Sequence, residues 1–291
     1  MRVIEKLCQT SHQNIVSVFG YGRLNPESGF YYIDMELCAI NLEQYIEGKQ
    51  CGLLPNWKLP VEVKDALNVV LILEHVMSGL GFIHNLKEVH RDLNPPNGTP
   101  LGVRRLIQCS VLYSSKDKLW KIADFGLTSP ATSLGFVSTT RGRGKPAYTA
   151  PELLQDPSLY NKKTDIWSLG CILFELCTGE KLFNTHWEVW NYAVGRNSRT
   201  ISFSSLREPS RGEFAAIVQA TIDCDVDKRP TLESLTKSFA KLRNQLEQPK
   251  KAKIAPVPEG TAMSLRRASS DNSSLLGEGY WYYPSRFCHG R

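Results

Sequence analysis

Two acidic residues and an amide stand at spacings that suit a divalent cation and a phosphate. In Val89-His90-Arg91-Asp92-Leu93-Asn94-Pro95-Pro96-Asn97 an Asp precedes an Asn by five residues. Downstream, Lys121-Ile122-Ala123-Asp124-Phe125-Gly126 supplies a second Asp in a turn-forming triplet. Magnesium-dependent phosphoryl transfer asks for such a set. One carboxylate, Asp92, accepts the proton of the attacking hydroxyl, while the Asn97 oxygen and Asp124 hold the metal against the phosphates. An Asp-Phe-Gly triplet alone is as easily a plain turn. Specificity comes from the order of the strings and from Ala150-Pro151-Glu152 closing the series.

These residues need elements to hold them. Residues 61–84 read as a long helix with Leu73, Val76, Met77, Leu80 and Ile83 at helical spacing, delivering the chain to His90. Asp165-Ile166-Trp167-Ser168-Leu169-Gly170 opens a helix that stays apolar on nearly every side through Cys177, and a helix of that kind is buried. A short helix is expected over 41–47, then a Gly- and Pro-punctuated loop over 48–60. Amphipathic helices follow over 187–194, 213–223 and 232–246. Ahead of them, residues 16–21 and 30–35 read as two antiparallel strands joined by a polar loop. The pattern is an α+β fold dominated by helices.

The chain has 291 residues, enough for a substantial core. No unbroken run of about eighteen apolar residues occurs, so no membrane span is expected. Nothing behind Met1-Arg2-Val3-Ile4-Glu5 resembles a signal core. Eight scattered cysteines without a Cys-x-x-Cys pair read as reduced thiols in a cytoplasmic or nuclear protein. The net charge is +6, and residues 248–291 carry seven basic against three acidic side chains. That stretch, rich in Lys, Pro, Ser and Gly, reads as a disordered, solvated basic tail rather than a nucleic-acid or membrane contact. Within it Arg266-Arg267-Ala268-Ser269 matches a basic-directed phosphoacceptor pattern. Tyr280-Trp281-Tyr282-Tyr283 is either a docking segment or frame-shifted sequence.

From residue 1 to about 246 the chain resembles the eukaryotic protein kinases of serine/threonine type. The resemblance implies a kinase-like domain over 1–247, with a β-rich N-lobe remnant over 1–37 and a helical C-lobe over 38–247. It implies ATP and magnesium as cofactors, a protein substrate and a monomeric enzyme. Met35 would be the gatekeeper, with the backbone of Glu36 and Cys38 at adenine and Leu112 as the floor beneath it. Asp165 would bond the backbone of the His-Arg-Asp turn, and Arg229 would pair with Glu152. His90 and Phe125, with Ile4 and Val18, would form a spine between the lobes. Arg91 would take a phosphate on Ser138, Thr139 or Thr140 of the activation segment.

The chain departs from that family in three ways. Counting back along the first helix, the Gly-rich loop, the strand Lys and its Glu partner fall before Met1, while Glu5 and Lys6 read as solvent-facing. Residues 98–110 form an atypical insertion between Asn97 and the expected strand at Val111. The insertion and the start at Met1 read as gene-model errors such as a retained intron. Third, Asn94 stands where serine/threonine kinases carry Lys, and Lys145 stands where they carry Thr. Those two positions face each other in the family fold, so Lys145 could supply the cation that Asn94 lacks. Leu93-Asn94-Pro95-Pro96-Asn97 favours serine/threonine over tyrosine specificity. The alternative to an enzyme is a catalytically inactive pseudokinase that works by binding partners.

Overall fold

The computed structural model describes residues 5–6, 9–23, 31–48, 65–95, 109–125, 128–130, 137–139, 145–203, 206, 208 and 210–248. Ile4, Asn97, residues 98–108 of the insertion, Thr140, Ser269 and the 280–283 aromatic run lie outside them. So does the rest of the tail beyond residue 248. Ser138 and Thr139 are described by their backbone alone.

Strands β1 (Val18–Arg23) and β2 (Tyr31–Met35) pair antiparallel, with Arg23 opposite Tyr31 and Val18 opposite Met35. This ribbon leaves Phe19, Tyr32, Ile33 and Leu37 exposed. Strand β3 (Ile40–Asn41) leads into helix α1 (Leu42–Ile46), which a capping box between Asn41 and Gln44 initiates. Together with β5 (Val111–Ser114) and β6 (Leu119–Ile122), β3 forms an antiparallel sheet in the order β3-β5-β6. Two short pairs complete the sheets among the described residues. β4 (Glu88–Val89) pairs with β7 (Ser129–Pro130), and β8 (Val137–Thr139) with β9 (Ser158–Tyr160).

Helix α2 (Ala66–Asn85) begins where Asp65 accepts the Leu67 N–H. Its apolar positions, among them Val69, Leu73, Val76, Leu80 and Ile83, are buried. By length and composition α2 is apolar enough to cross a bilayer, and half of that window is buried inside the fold. Helix α3 (Lys162–Thr178) is capped by Asn161 and ends at Gly179, whose φ of 78° suits a left-handed terminus. It is buried on nearly every side, as its composition requires. Helices α4 (His186–Ala193), α5 (Ser210–Thr221) and α6 (Leu232–Glu247) surround it. Gly170 lets α3 and α5 approach closely: a Cβ there would stand 2.1 Å from Thr221 Oγ1. One apolar core, with Trp167, Phe183, Phe214 and Phe239 among its largest members, runs through all of these helices.

The N-terminal segment is bound to this body by backbone and side-chain bonds. Val16 N–H reaches the Ile122 carbonyl at 2.9 Å, and Ile122 N–H reaches the Asn14 carbonyl at 2.8 Å. Lys6 is not simply solvent-facing, as its place in the sequence had implied. Its ammonium donates to the buried Glu88 at 2.8 Å.

Candidate active site

Asp165, at the first turn of α3, anchors the catalytic stretch from beneath. Its Oδ1 accepts the Arg91 N–H at 2.8 Å, and its Oδ2 accepts the His90 N–H at 3.0 Å and meets His84 Nε2 at 2.8 Å. Burial alone would push this carboxyl up. The His84 hydrogen bond, the charges of His84 and His90, and the Arg91 N–H together hold it below its usual value. The anchor has a conformational purpose, because Arg91 adopts a φ of 70°, a region that non-glycine residues rarely occupy. Such a residue persists when its surroundings over-determine it. Here two amide bonds to Asp165 do so, together with the Arg91 guanidinium lying 4.4 Å from the Tyr160 ring centroid.

His90, fully buried, turns its Nε2 to the Ala123 carbonyl at 3.0 Å and meets Phe125 edge-on, with centroids 5.8 Å apart. This couples the first Asp-bearing turn to the second. Asp124 itself has a φ of 57°.

Asp92, Asn94 and Lys145 form one hydrogen-bonded set. Asn94, buried, donates through Nδ2 to Asp92 Oδ1 at 2.8 Å and to the Asp92 carbonyl at 2.6 Å. Its Oδ1 accepts from Lys145 Nζ at 2.7 Å, and the Lys145 N–H reaches Asp92 Oδ1 at 3.3 Å. Burial raises the Asp92 carboxyl; His90 and Lys145 pull it down and Asp124 pushes it up, leaving it above the usual range. Burial likewise depresses the Lys145 ammonium, against the opposing charges of Asp92, Cys109, Asp124 and Glu43. Asp92, Asp124 and Lys145 therefore lie within electrostatic reach of one another.

The segment carrying Lys145 is held by its continuation. Tyr148 Oη donates to Glu175 at 2.5 Å, and Ser168 Oγ donates to the Tyr148 carbonyl at 2.9 Å. Glu152 takes a bidentate bond from Arg229 at 2.8 Å to each oxygen, and that guanidinium also stacks over Trp167 at 5.1 Å.

Cys38 and Leu112 come together with Val16, Cys109 and Ala123 in a small apolar cluster, each 4% or less exposed. Burial, followed by the charge of Glu36, raises the Cys38 thiol to about 12. Met35, at the end of β2, is 36% exposed. Glu36 ties β1 to the β5–β6 hairpin: its carboxylate accepts the Ser17 N–H at 2.8 Å and pairs with the buried Lys121 at 2.7 Å.

Sequence reasoning missed several of these residues. Cys109 and Ser110, assigned to the insertion, are built into the catalytic loop: Ser110 Oγ donates to the Asn94 carbonyl at 2.7 Å and accepts the Asn94 N–H. The Ser110 carbonyl in turn accepts the Ala123 N–H at 2.9 Å. Lys121, which tethers Glu36, carried no signal beyond its alternation along a strand.

Of the two residues expected to hold magnesium, Asp124 is described and its chemistry suits that ion. Asp124 offers a hard carboxylate oxygen, and its charge disfavours ionisation of Asp92 in a partly buried setting, a repulsion that a cation relieves. Among the described residues no group of three or more His, Cys, Asp or Glu side chains could hold a metal. Magnesium commonly takes only one or two carboxylates and completes its shell with phosphates and water.

Comparison with known proteins agrees with this geometry. Residues 1–239 match the protein kinase domain family. Mitogen-activated protein kinase kinase kinase 1b of Physcomitrium patens is 25% identical over 268 residues, covering 91% of this chain and 30% of that protein. Mitogen-activated protein kinase 4 of Rattus norvegicus is 30% identical over 189 residues, covering 63% of this chain and 61% of that protein. Serine/threonine-protein kinase PrkC of Bacillus subtilis is 31% identical over 184 residues, covering 63% and 24%. The chain thus spans from a quarter to three fifths of the length of these relatives. With the family matched over most of its length, and with the Asp165-anchored loop and the Glu152–Arg229 pair in place, this chain belongs to the protein kinase family.

Proposed function

We propose that the chain transfers the γ-phosphate of ATP to serine or threonine hydroxyls of a protein substrate. The observation that carries this reading is the bonded set of Asp92, Asn94 and Lys145 within electrostatic reach of Asp124. Oδ1 of Asp92 is held by two donors, and among the described residues this leaves Oδ2 to orient the substrate alcohol. The alcohol oxygen bonds to the γ-phosphorus, the bond from that phosphorus to the bridging oxygen breaks, Asp92 receives the alcohol proton, and ADP departs. Lys145 sits beside this carboxylate with a charge fit to stabilise the transferring phosphoryl group. Asp124, and Asn97 outside the described residues, would hold a magnesium ion that would neutralise charge on the phosphates. Cys38 and Leu112 would meet the adenine ring, with Met35 and Glu36 at its edge. Free thiols at Cys38, Cys171 and Cys224 support a reducing, cytoplasmic setting.

A second reading, a pseudokinase that binds partners without catalysis, is favoured by one observation. Cys38 and Leu112, which would face adenine, are packed shut against Cys109 and Val16. Transfer of labelled γ-phosphate to a basic protein substrate separates the two. The kinase reading expects magnesium-dependent labelling lost in Asp92→Asn. No labelling above that variant would favour the pseudokinase.

A further inference from the structure

A groove of about 650 Å³ lies between the C-terminal half of α2 and the first turns of α3 and α6. Its volume falls in the range that holds a small organic ligand. Met77, Phe82, Ile166 and Leu232 supply an apolar floor, and Phe82 is fixed from one side by the stacked ring of His12 at 4.9 Å. The floor is open at Gly81, where a Cβ would meet only Leu232, at an ordinary contact of 3.7 Å.

One end of the groove is cationic. Lys162 and Lys163 line it at the start of α3, where the helix dipole adds positive potential. Lys163 is fastened to the backbone carbonyls of Arg229 and Asp227. Lys162 has no acidic partner among the described residues; burial and the neighbouring charge of Lys87 both act against its ammonium. Glu233, the acidic residue of the lining, is already paired with Lys237 at 2.7 Å. A cationic end beside an apolar floor is complementary to an anion that carries a hydrocarbon chain.

The groove also touches the catalytic loop through one buried group. His84 belongs to its lining, and its Nε2 is bonded to the Asp165 carboxylate that holds the His90 and Arg91 amides. We propose that this groove binds an anionic amphiphile, a carboxylate or phosphate monoester, with its head at Lys162 and its chain along Met77, Phe82, Ile166 and Leu232. Occupancy tightens the His84–Asp165 bond and with it the turn at Arg91.

The test is calorimetric titration of the full 291-residue chain with dodecyl phosphate and with dodecanoate below their micellar concentrations. Hydrogen exchange at the His90 and Arg91 amides is the second readout. At least one of the two probes binds saturably, and the tighter of them identifies the head group. Octyl in place of dodecyl weakens binding at least tenfold, and exchange at both amides slows at least threefold. Lys162→Glu, which suits a first helical turn, weakens binding at least tenfold while leaving the unfolding midpoint unchanged. Ser78→Trp, an exposed substitution that fills the groove, abolishes it. Equal binding of dodecyltrimethylammonium, binding of inorganic phosphate as tight as that of dodecyl phosphate, or no saturable binding would each overturn the proposal. Bound amphiphile with unchanged amide exchange would overturn the coupling to the loop. None of these readouts requires phosphoryl transfer, so failure here is distinguishable from failure of the kinase reading.

Discussion

The ammonium of Lys145 and the carboxylate of Asp92 are bridged by a single side chain: Asn94 accepts from the one at 2.7 Å and donates to the other at 2.8 Å. The two residues lie 53 positions apart in the chain, and the Lys145 amide adds a direct bond to the same carboxylate. A cation delivered from the activation segment is therefore fastened to the catalytic loop by the residue that stands where the family carries Lys.

Exchanging the two side chains tests whether the pair acts as a unit. Lys145→Thr removes one charge-assisted hydrogen bond to a phosphate, worth about 1.5–3 kcal/mol, so turnover should fall about 10- to 100-fold. Asn94→Lys alone sets two ammonium groups against each other and should also lose activity. The double variant Asn94→Lys/Lys145→Thr should recover most of it, measured as phosphate transfer to a protein substrate. Independent, additive losses would show that the bridge has no catalytic meaning.

The pH dependence follows from the direction of the Asp92 shift. In the proposed role of base Asp92 must be ionised, and burial raises its carboxyl above the ordinary 3.8. The acid limb of kcat/KM should therefore lie above that value. Lys145 pulls the same carboxyl down, so Lys145→Met should move the limb further up. A limb that does not respond to this substitution would separate the two groups.

The His90–Arg91 turn anchored on Asp165, the helix rising from Asp165 and the Glu152–Arg229 pair were legible because each rests on a local string or an unbroken apolar helix. The strands at β1 and β2 were legible from alternation, within two residues at their ends. The Asn94 bridge was half legible. Facing positions were expected from the family, but the direction of the carboxamide is fixed by contacts across 51 residues that no local pattern encodes. Ser110 and Lys121 were hidden for the same reason. Each is a small or alternating residue whose role depends on a partner brought near by the fold, Asn94 in one case and Glu36 in the other. Lys6 looked solvent-facing because only its own helix was in view, and its partner Glu88 lies 82 residues away.

Asp165 should couple stability to acidity. Its carboxyl is held below the unfolded value, so its contribution is present above the unfolded pKa and is lost as pH falls through the lower folded one. Asp165→Asn should lower stability at neutral pH and flatten the acid branch of the stability profile. Urea unfolding at several pH values measures both, and an unchanged acid branch would contradict the assignment.

The Glu152–Arg229 pair is structural, with the Arg229 side chain fully buried. Removing one partner strands a charge, so Arg229→Met or Glu152→Gln should cost about 3–5 kcal/mol in chemical denaturation. The double replacement should cost less than the sum of the two. A loss below about 1 kcal/mol for either single change would mean that the pair is dispensable.

The central claim is that Asp124 and the Asp92–Asn94–Lys145 set form one magnesium-nucleotide site. A thermal-shift titration with ATP tests it most directly, because a ligand that binds only the folded chain must raise its midpoint. The account predicts a rise that requires both ATP and magnesium and disappears in Asp124→Asn. A midpoint unmoved at millimolar ATP with magnesium, or a rise that survives the loss of the Asp124 carboxylate, would contradict it.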